Sequence, residues 1–171
     1  GAAIGGNALL QRGQALDIGT QRANVAVAVR SLADLARGAD LAVVHGNGPQ
    51  VGLLAIESTA GPSPMPLDVL DAESQGQIGY LLSIELANAL PDRRCVTLVT
   101  QVEVDDADPA FSHPTKPIGP GYERAVAHKV ADDGRWTVAA DGDRWRRVVP
   151  SPEPRRIVEL EPLIEELARQ P

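Results

Sequence analysis

The run His45-Gly46-Asn47-Gly48-Pro49-Gln50 follows directly on the apolar stretch Leu41-Ala42-Val43-Val44. It constrains the fold more than any other feature. A short buried strand enters a loop with two glycines and an amide side chain. Pro49 then suits the first turn of a helix, where no backbone N–H is required. Glycine lets a backbone pass close to a ligand and take positive φ without steric cost. The N–H groups at such a helix start favour an anion, most often a phosphate. The same architecture opens the chain, as Ala2-Ala3-Ile4 followed by Gly5-Gly6-Asn7-Ala8-Leu9-Leu10. Two strand–glycine–asparagine–helix units predict one anion site made from two loops. Asn7 and Asn47 would there hydrogen-bond phosphoryl oxygens or an attached carbonyl. Neither loop is a nucleotide fingerprint, for both G-x-x-x-x-G-K-[ST] and G-x-G-x-x-G are missing. Turn geometry alone would also account for a bare Gly-Gly-Asn.

The periodicity between and beyond these loops gives the fold class. Val25, Ala28, Val29, Leu32, Leu35 and Ala36 recur at helical spacing, predicting a helix from Thr20 to Arg37 that Gly38 ends. Leu41–Val44 reads as a strand and Pro49-Gln50 as the next helix start. The prolines of Gly61–Pro66 make a loop. Ser74–Leu90 reads as a helix in which Gly76 and Gly79 weaken the helix but permit close approach of another backbone or helix, and Cys95–Gln101 as a strand. The order β-α-β-α-α-β points to a mostly parallel central sheet covered by helices, a three-layer α/β sandwich. Right-handed crossovers would set both glycine loops at the carboxyl end of that sheet, where α/β proteins bind ligands.

From Asp105 to Pro154 seven prolines interrupt the βα rhythm. Within this segment Arg135–Ala140 and Arg144–Val149 predict a hairpin turning through Asp141-Gly142-Asp143, a small β-hairpin lobe protruding over about residues 108–152. Ile157–Ala168 reads as a last helix. A helix in this alternation should lead to another strand, so the expectation is a domain that stops midway.

Composition narrows the function classes. The chain has 171 residues, enough for one domain with a core, and 43% are hydrophobic. No apolar run approaches the roughly 20 residues that span a bilayer. The net charge of −7 argues against a nucleic-acid or anionic-membrane surface. A single cysteine, Cys95, excludes an internal disulfide framework and fits a reducing cytoplasm. Beside Val96-Thr97-Leu98-Val99 it reads as a buried, inert thiol. Histidines, cysteine and carboxylates show no zinc-site spacing, and no metal ligand is assigned. Asp105, Asp106 and Asp108 read as a solvated turn, His113 and His128 as surface residues, and Arg144, Arg146 and Arg147 as an exposed hairpin face. His45 is either an acid or base or a packed residue at a strand end.

The cations are almost all arginine, and the two lysines, Lys116 and Lys129, fall in the central segment. Lys116 lies in Pro114-Thr115-Lys116-Pro117-Ile118-Gly119-Pro120, where flanking prolines stiffen the backbone. Two readings stand: a solvated lysine in a proline-rich loop, or a held ammonium that neutralises a transferring phosphoryl group.

Five runs taken together resemble carbamate kinase, a family of the amino-acid kinase fold. They are Gly5–Leu9, His45–Gly52, Ser74–Tyr80, Pro114–Pro120 and Arg146–Pro152. The resemblance covers the whole chain but only the first half of the family's length. It implies the incomplete amino-acid kinase fold, with residues 1–171 as the carbamate-binding half and the nucleotide-binding half absent. The implied reaction is reversible phosphoryl transfer between ATP and carbamate, giving ADP and carbamoyl phosphate, as in arginine catabolism. It implies that Gly5, Gly6, Asn7, Gly46, Asn47 and Gly48 line the substrate site, and that Lys116 acts catalytically over it. Mg²⁺ would accompany ATP or ADP, and the partners would be those substrates and a second copy in a homodimer. The isolated chain is expected to be inactive. Two alternatives stand: another small-acid kinase of the same fold, or a non-catalytic remnant or dimerisation module. Asp71-Ala72-Glu73 departs from the family's usual Gly-Ala pair, and Gly121 stands where the family usually shows Phe.

Overall fold

The computed structural model describes every residue except 12, 16, 60, 62, 135 and 169–171, and every described side chain except those of Asn7 and Glu166. It is mixed α/β and divides into two compact units. The first comprises Gly1–Leu54 and Met65–Val99, the second Ala55–Pro64 and Thr100–Pro171.

In the first unit, β1 (Ala2–Ile4) and β2 (Val43–His45) pair in parallel, with Ala2 opposite Val43 and Ile4 opposite His45. Alternation along a strand puts Val43 and His45 on one face and Val44 on the other. The inner face meets two long helices, α2 (Ile18–Ala36) and α4 (Leu67–Ala89). Short α1 (Gly6–Leu9) follows β1, and α3 (Gly48–Thr59) follows β2. Ile4, Leu9, Val25, Val29, Leu32, Ile78, Leu81 and Leu82 form one buried cluster, with Val43 packed against it. Each such side chain contributes roughly 1.5–3 kcal/mol by leaving water. Asp17 starts α2 by accepting from the Thr20 N–H and hydroxyl, at 2.9 and 2.8 Å. These bonds hold its carboxyl below the usual carboxylate range.

Helix α4 begins seven residues before the expected Ser74. Pro66 is the residue before it, with extended ψ of 147°, and acidic Asp68 sits in its first turn, where the helix dipole favours a negative charge. Leu70, Ser74, Ile78 and Leu82 are all buried along one face at four-residue spacing. Polar Asp71-Ala72-Glu73 obscures that stripe in the sequence.

The strand expected at Cys95–Gln101 joins no ladder among the described residues, and Cys95 is exposed rather than buried. Val96, Leu98 and Val99 are 79%, 45% and 48% exposed. Their apolar character marked a segment suited to burial, which is not the same as one paired with a neighbouring strand. The segment is nonetheless held at Thr97, whose hydroxyl donates to the Gly79 carbonyl at 3.1 Å. A methyl group on Gly79 would overlap Thr97 Cγ2, so the expected close approach at this glycine is real. Gly76 faces open space.

In the second unit, β4 (Lys116–Tyr122), β6 (Arg144–Val149) and β5 (Thr137–Asp141) form an antiparallel sheet in the order β4-β6-β5. The expected hairpin is present as β5 and β6, its predicted first residue, Arg135, lying outside the described residues. The sequence reading lacked β4 and α5 (Arg124–Gly134), which packs on this sheet. Ile118, Ala127, Ala131, Val148 and Val149 are its buried apolar residues. A separate antiparallel pair joins β3 (Val102–Val104) to β7 (Pro154–Ile157). Ile157 thus belongs to a strand, and the last helix, α6, starts later, at Leu160–Ala168. Only Arg144 of the hairpin arginines is exposed. Arg146 donates to the Gly119 carbonyl and to Asp141, and Arg147 lies 4.6 Å from the centre of the Trp136 ring. Asp105 and Asp108 cap turns, accepting from Ala107 and Ala110 N–H groups, and His113 and His128 are exposed as expected.

The two α4 glycines give opposite expectations in urea unfolding. Gly79→Ala destabilises by about 1–2 kcal/mol through overpacking against Thr97, and adding Thr97→Ser removes at least half of that loss. Gly76→Ala stabilises by about 0.5–1 kcal/mol, because alanine is the better helix former and meets nothing.

Candidate functional site

The two glycine loops meet in the first unit. The Gly46 N–H donates to the Ile4 carbonyl at 2.9 Å, tying the first residue after β2 to the last residue of β1. A Cβ on Gly46 would come 3.3 Å from the Gly6 backbone nitrogen, and one on Gly6 would come 3.2 Å from Pro49 Cδ. These glycines are needed for close approach. The positive-φ glycines among the described residues are Gly13, Gly119 and Gly142, so neither loop uses the left-handed backbone that glycine permits. A Cβ on Gly5 or Gly48 would meet nothing within 4 Å. Gly5 leads into α1, where the Ala8 N–H returns to its carbonyl at 2.9 Å. The Asn47 carbonyl closes the first turn of α3 by accepting from Val51 at 3.0 Å. As at any helix start, the first N–H groups have no carbonyl within their own helix.

Beneath the second loop lies a polar network that spacing alone did not reveal. Asn47 Nδ2 donates to Asp71 Oδ1 at 2.6 Å and to Ser74 Oγ at 2.7 Å. Ser74 is fully buried, and its hydroxyl donates to the Asp71 carbonyl at 2.8 Å. Gln75 Nε2 reaches Asp71 Oδ2 at 2.9 Å. Both Asn47 amide hydrogens are therefore engaged within the protein, which removes the donors expected to meet phosphoryl oxygens. Gln50, also buried, donates through Nε2 to Gln21 Oε1 of α2 at 3.3 Å. The signal for this layer was polar residues, Gln21, Gln50 and Ser74, at positions where apolar ones would pack.

Two buried polar atoms at this loop have no partner among the described residues: His45 Nδ1 and Gln50 Oε1. Unsatisfied groups cost about 1–3 kcal/mol each and concentrate at functional sites. His45 faces inward at the end of β2, as its packing alternative required. Desolvation pushes its pKa below the ordinary histidine value, with the Gly46 backbone and the Asp71 charge opposing more weakly.

Gly5, Gly6, Gly46, Asn47 and Gly48 thus all belong to the first unit, and the Asn7 side chain lies outside the described residues. Lys116 belongs to the second unit. It is exposed and opens strand β4 opposite Val149, so its stiff surroundings are a strand rather than a loop. No group of three or more metal-ligating side chains gathers among the described residues.

Paired glycine loops at strand ends over helix starts are an arrangement with which α/β proteins commonly bind anions. Comparison with known proteins narrows the reading. No protein-family model matches the chain. It is 49% identical over 164 residues to carbamate kinase of Haemophilus influenzae, covering 94% of this chain and 53% of that relative. It is 45% identical over 170 residues to carbamate kinase of Pyrococcus furiosus, covering 93% and 54%. Among solved structures, carbamate kinase from Giardia lamblia bound to citric acid matches with a TM-score of 0.88 at 37% identity, covering 97% of this chain and 56% of that one. The same enzyme bound to AMP-PNP matches with a TM-score of 0.77 at 40% identity, covering 98% and 56%. The chain is similar to these carbamate kinases along almost its entire sequence, and it spans about half the length of the curated relatives it matches.

The His45 environment predicts a pH dependence. The folded-state pKa lies below the unfolded value of about 6.5, so the unfolded chain takes up the proton first and stability falls as pH drops from about 7.5 to 5. NMR titration should place the His45 midpoint below the ordinary histidine value. His45→Gln should flatten the stability slope in this window.

Proposed function

We propose that this chain forms the carbamate- and carbamoyl-phosphate-binding part of a carbamate kinase, which transfers a phosphoryl group reversibly between ATP and carbamate. The observation that carries the reading is the convergence of Gly46 on the Gly6 backbone, in a chain 49% and 45% identical to the carbamate kinases of Haemophilus influenzae and Pyrococcus furiosus. In this reading Gly5, Gly6 and Asn7 form one wall of the substrate site, and Gly46, Asn47 and Gly48 the other. Open space next to Gly5 and Gly48 suits a small ligand lying against bare backbone. Lys116, on a subdomain of about residues 108–152, supplies the cation that neutralises charge on the phosphoryl group. Such a transfer needs little covalent chemistry from the protein. Fixed donors and one cation lower its barrier by positioning and charge stabilisation.

The same reading makes the chain one part of a larger domain. The β1–β2 pair becomes part of a mostly parallel central sheet in a three-layer sandwich, and residues 95–101 become one of its strands. Exposed Val44, at 64%, and Val96, Leu98 and Val99 support this, because they are apolar residues of core type left in solvent. The nucleotide, ATP or ADP with Mg²⁺, binds mainly to the remaining part of the enzyme. No acidic cluster of the described residues suits the ion, which rides on the nucleotide phosphates. A homodimer through α4 is part of the proposal, supported by its exposed Tyr80. So is a cytoplasmic setting; no helix among the described residues is long and apolar enough to cross a membrane.

Incubation with carbamoyl phosphate, ADP and Mg²⁺ tests the proposal by ATP formation. The 171-residue chain should give none, and a chain extended to its relatives' full length should turn over. Activity of the short chain would overturn the half-domain reading, and an inactive long chain the kinase reading. In the active form Lys116→Ala should lower kcat by about 10²–10³-fold, and an unchanged rate would remove Lys116 from the mechanism.

A further inference from the structure

The amide of Asn47 has a direction, and Asp71 sets it. A carboxylate accepts hydrogen bonds and donates none, so the group 2.6 Å from Asp71 Oδ1 is the nitrogen end of the amide. Its second hydrogen goes to Ser74 Oγ, which can accept because its own hydrogen is given to the Asp71 carbonyl. Asp71 is itself steadied on its other oxygen by Gln75. A reversed amide would bring Oδ1 against the Asp71 carboxylate, two acceptors with no hydrogen between them. Asn47 Oδ1 is left without a partner among the described residues. The side chain therefore has an acceptor to spare and no donor.

We propose that Asp71 is a positioning residue that makes the Gly46–Gly48 loop selective for a ligand carrying an N–H donor. An acceptor beside a glycine loop repels a phosphoryl oxygen and a carboxylate but receives an –NH₂ group. Resting on the carbamoyl-phosphate reading of this site, the inference adds that Asn47 recognises the amide end of the ligand and leaves the phosphoryl oxygens to the backbone. A site built to bond an N–H discriminates strongly against an analogue that lacks it. Acetyl phosphate is that analogue, with methyl in place of –NH₂.

Two measurements test this. The first uses no ligand. Exchange of the Asn47 side-chain amide protons, read by NMR, should be slow in the native chain, at least about tenfold faster in Asp71→Ala, and near native in Asp71→Asn, which keeps an acceptor oxygen. Val25 and Val29 amides in the α2 core report folding, and Asp71→Leu takes the place of Asp71→Ala if that variant does not fold. Unchanged Asn47 exchange in the variants overturns the positioning role. The second measures dissociation constants for carbamoyl phosphate and acetyl phosphate. The native preference for carbamoyl phosphate should be about tenfold or more and should shrink towards one in Asp71→Ala. A full preference retained in that variant overturns the selectivity. If the native chain binds neither, the substrate reading fails, and with it the selectivity, while the exchange result still decides whether Asp71 orients Asn47.

Discussion

One backbone bond, Gly46 N–H to the Ile4 carbonyl, ties the two halves of the site together. It closes the parallel register of β1 and β2 at the point where the strands give way to the loops. Both loops then inherit the position of the strand pair, and the strand pair inherits that of the α2–α4 layer beneath it. Ile4 and Val43 insert from the strands into the same cluster that Val25, Val29, Ile78 and Leu82 build from the helices. The loop geometry is therefore anchored in the core, not in the loops' own contacts.

Helix α4 serves this arrangement at two levels. Its first turns carry Asp71 and Ser74, which hold the Asn47 side chain, and Gln75, which steadies Asp71. Its middle supplies Ile78, Leu81 and Leu82 to the core and, at Gly79, a bare backbone against which Thr97 rests. A charged acceptor strengthens a buried hydrogen bond, to about 1.5–3 kcal/mol, and burial of Ser74 keeps water from competing. The network is affordable inside a small protein because every hydrogen of the Asn47 amide and the Ser74 hydroxyl has an acceptor.

The parts that were legible in the sequence are those with a local cause. Helical spacing marked α2, glycine and proline marked the loops, and Asp-Gly-Asp marked the β5–β6 turn. What escaped was set by partners distant in sequence. Lys116 lies in a strand because β6 pairs with it, although Pro117 and Pro120 argue for a loop from neighbours alone. Residues 95–101 look like a strand, but pairing depends on what lies beside them. Ile157 has the spacing of a helix and the bonding of a strand, since Val102 pairs with it. Asn7, Asn47 and the loop glycines could be singled out by motif. The orientation of the Asn47 amide could not, since it depends on a carboxylate 24 residues away. The loop glycines serve a need other than positive φ, namely room for a neighbouring residue.

The approach of Gly6 to the Pro49 ring joins the two loops in a further way. Each loop sets the space in which the other may vary. A side chain admitted at Gly6 must displace Pro49, which starts α3, and a side chain at Gly46 must displace the nitrogen of Gly6. Sequence drift at either loop is therefore answerable to the other, and the pair is inherited as a single element although 40 residues separate its parts.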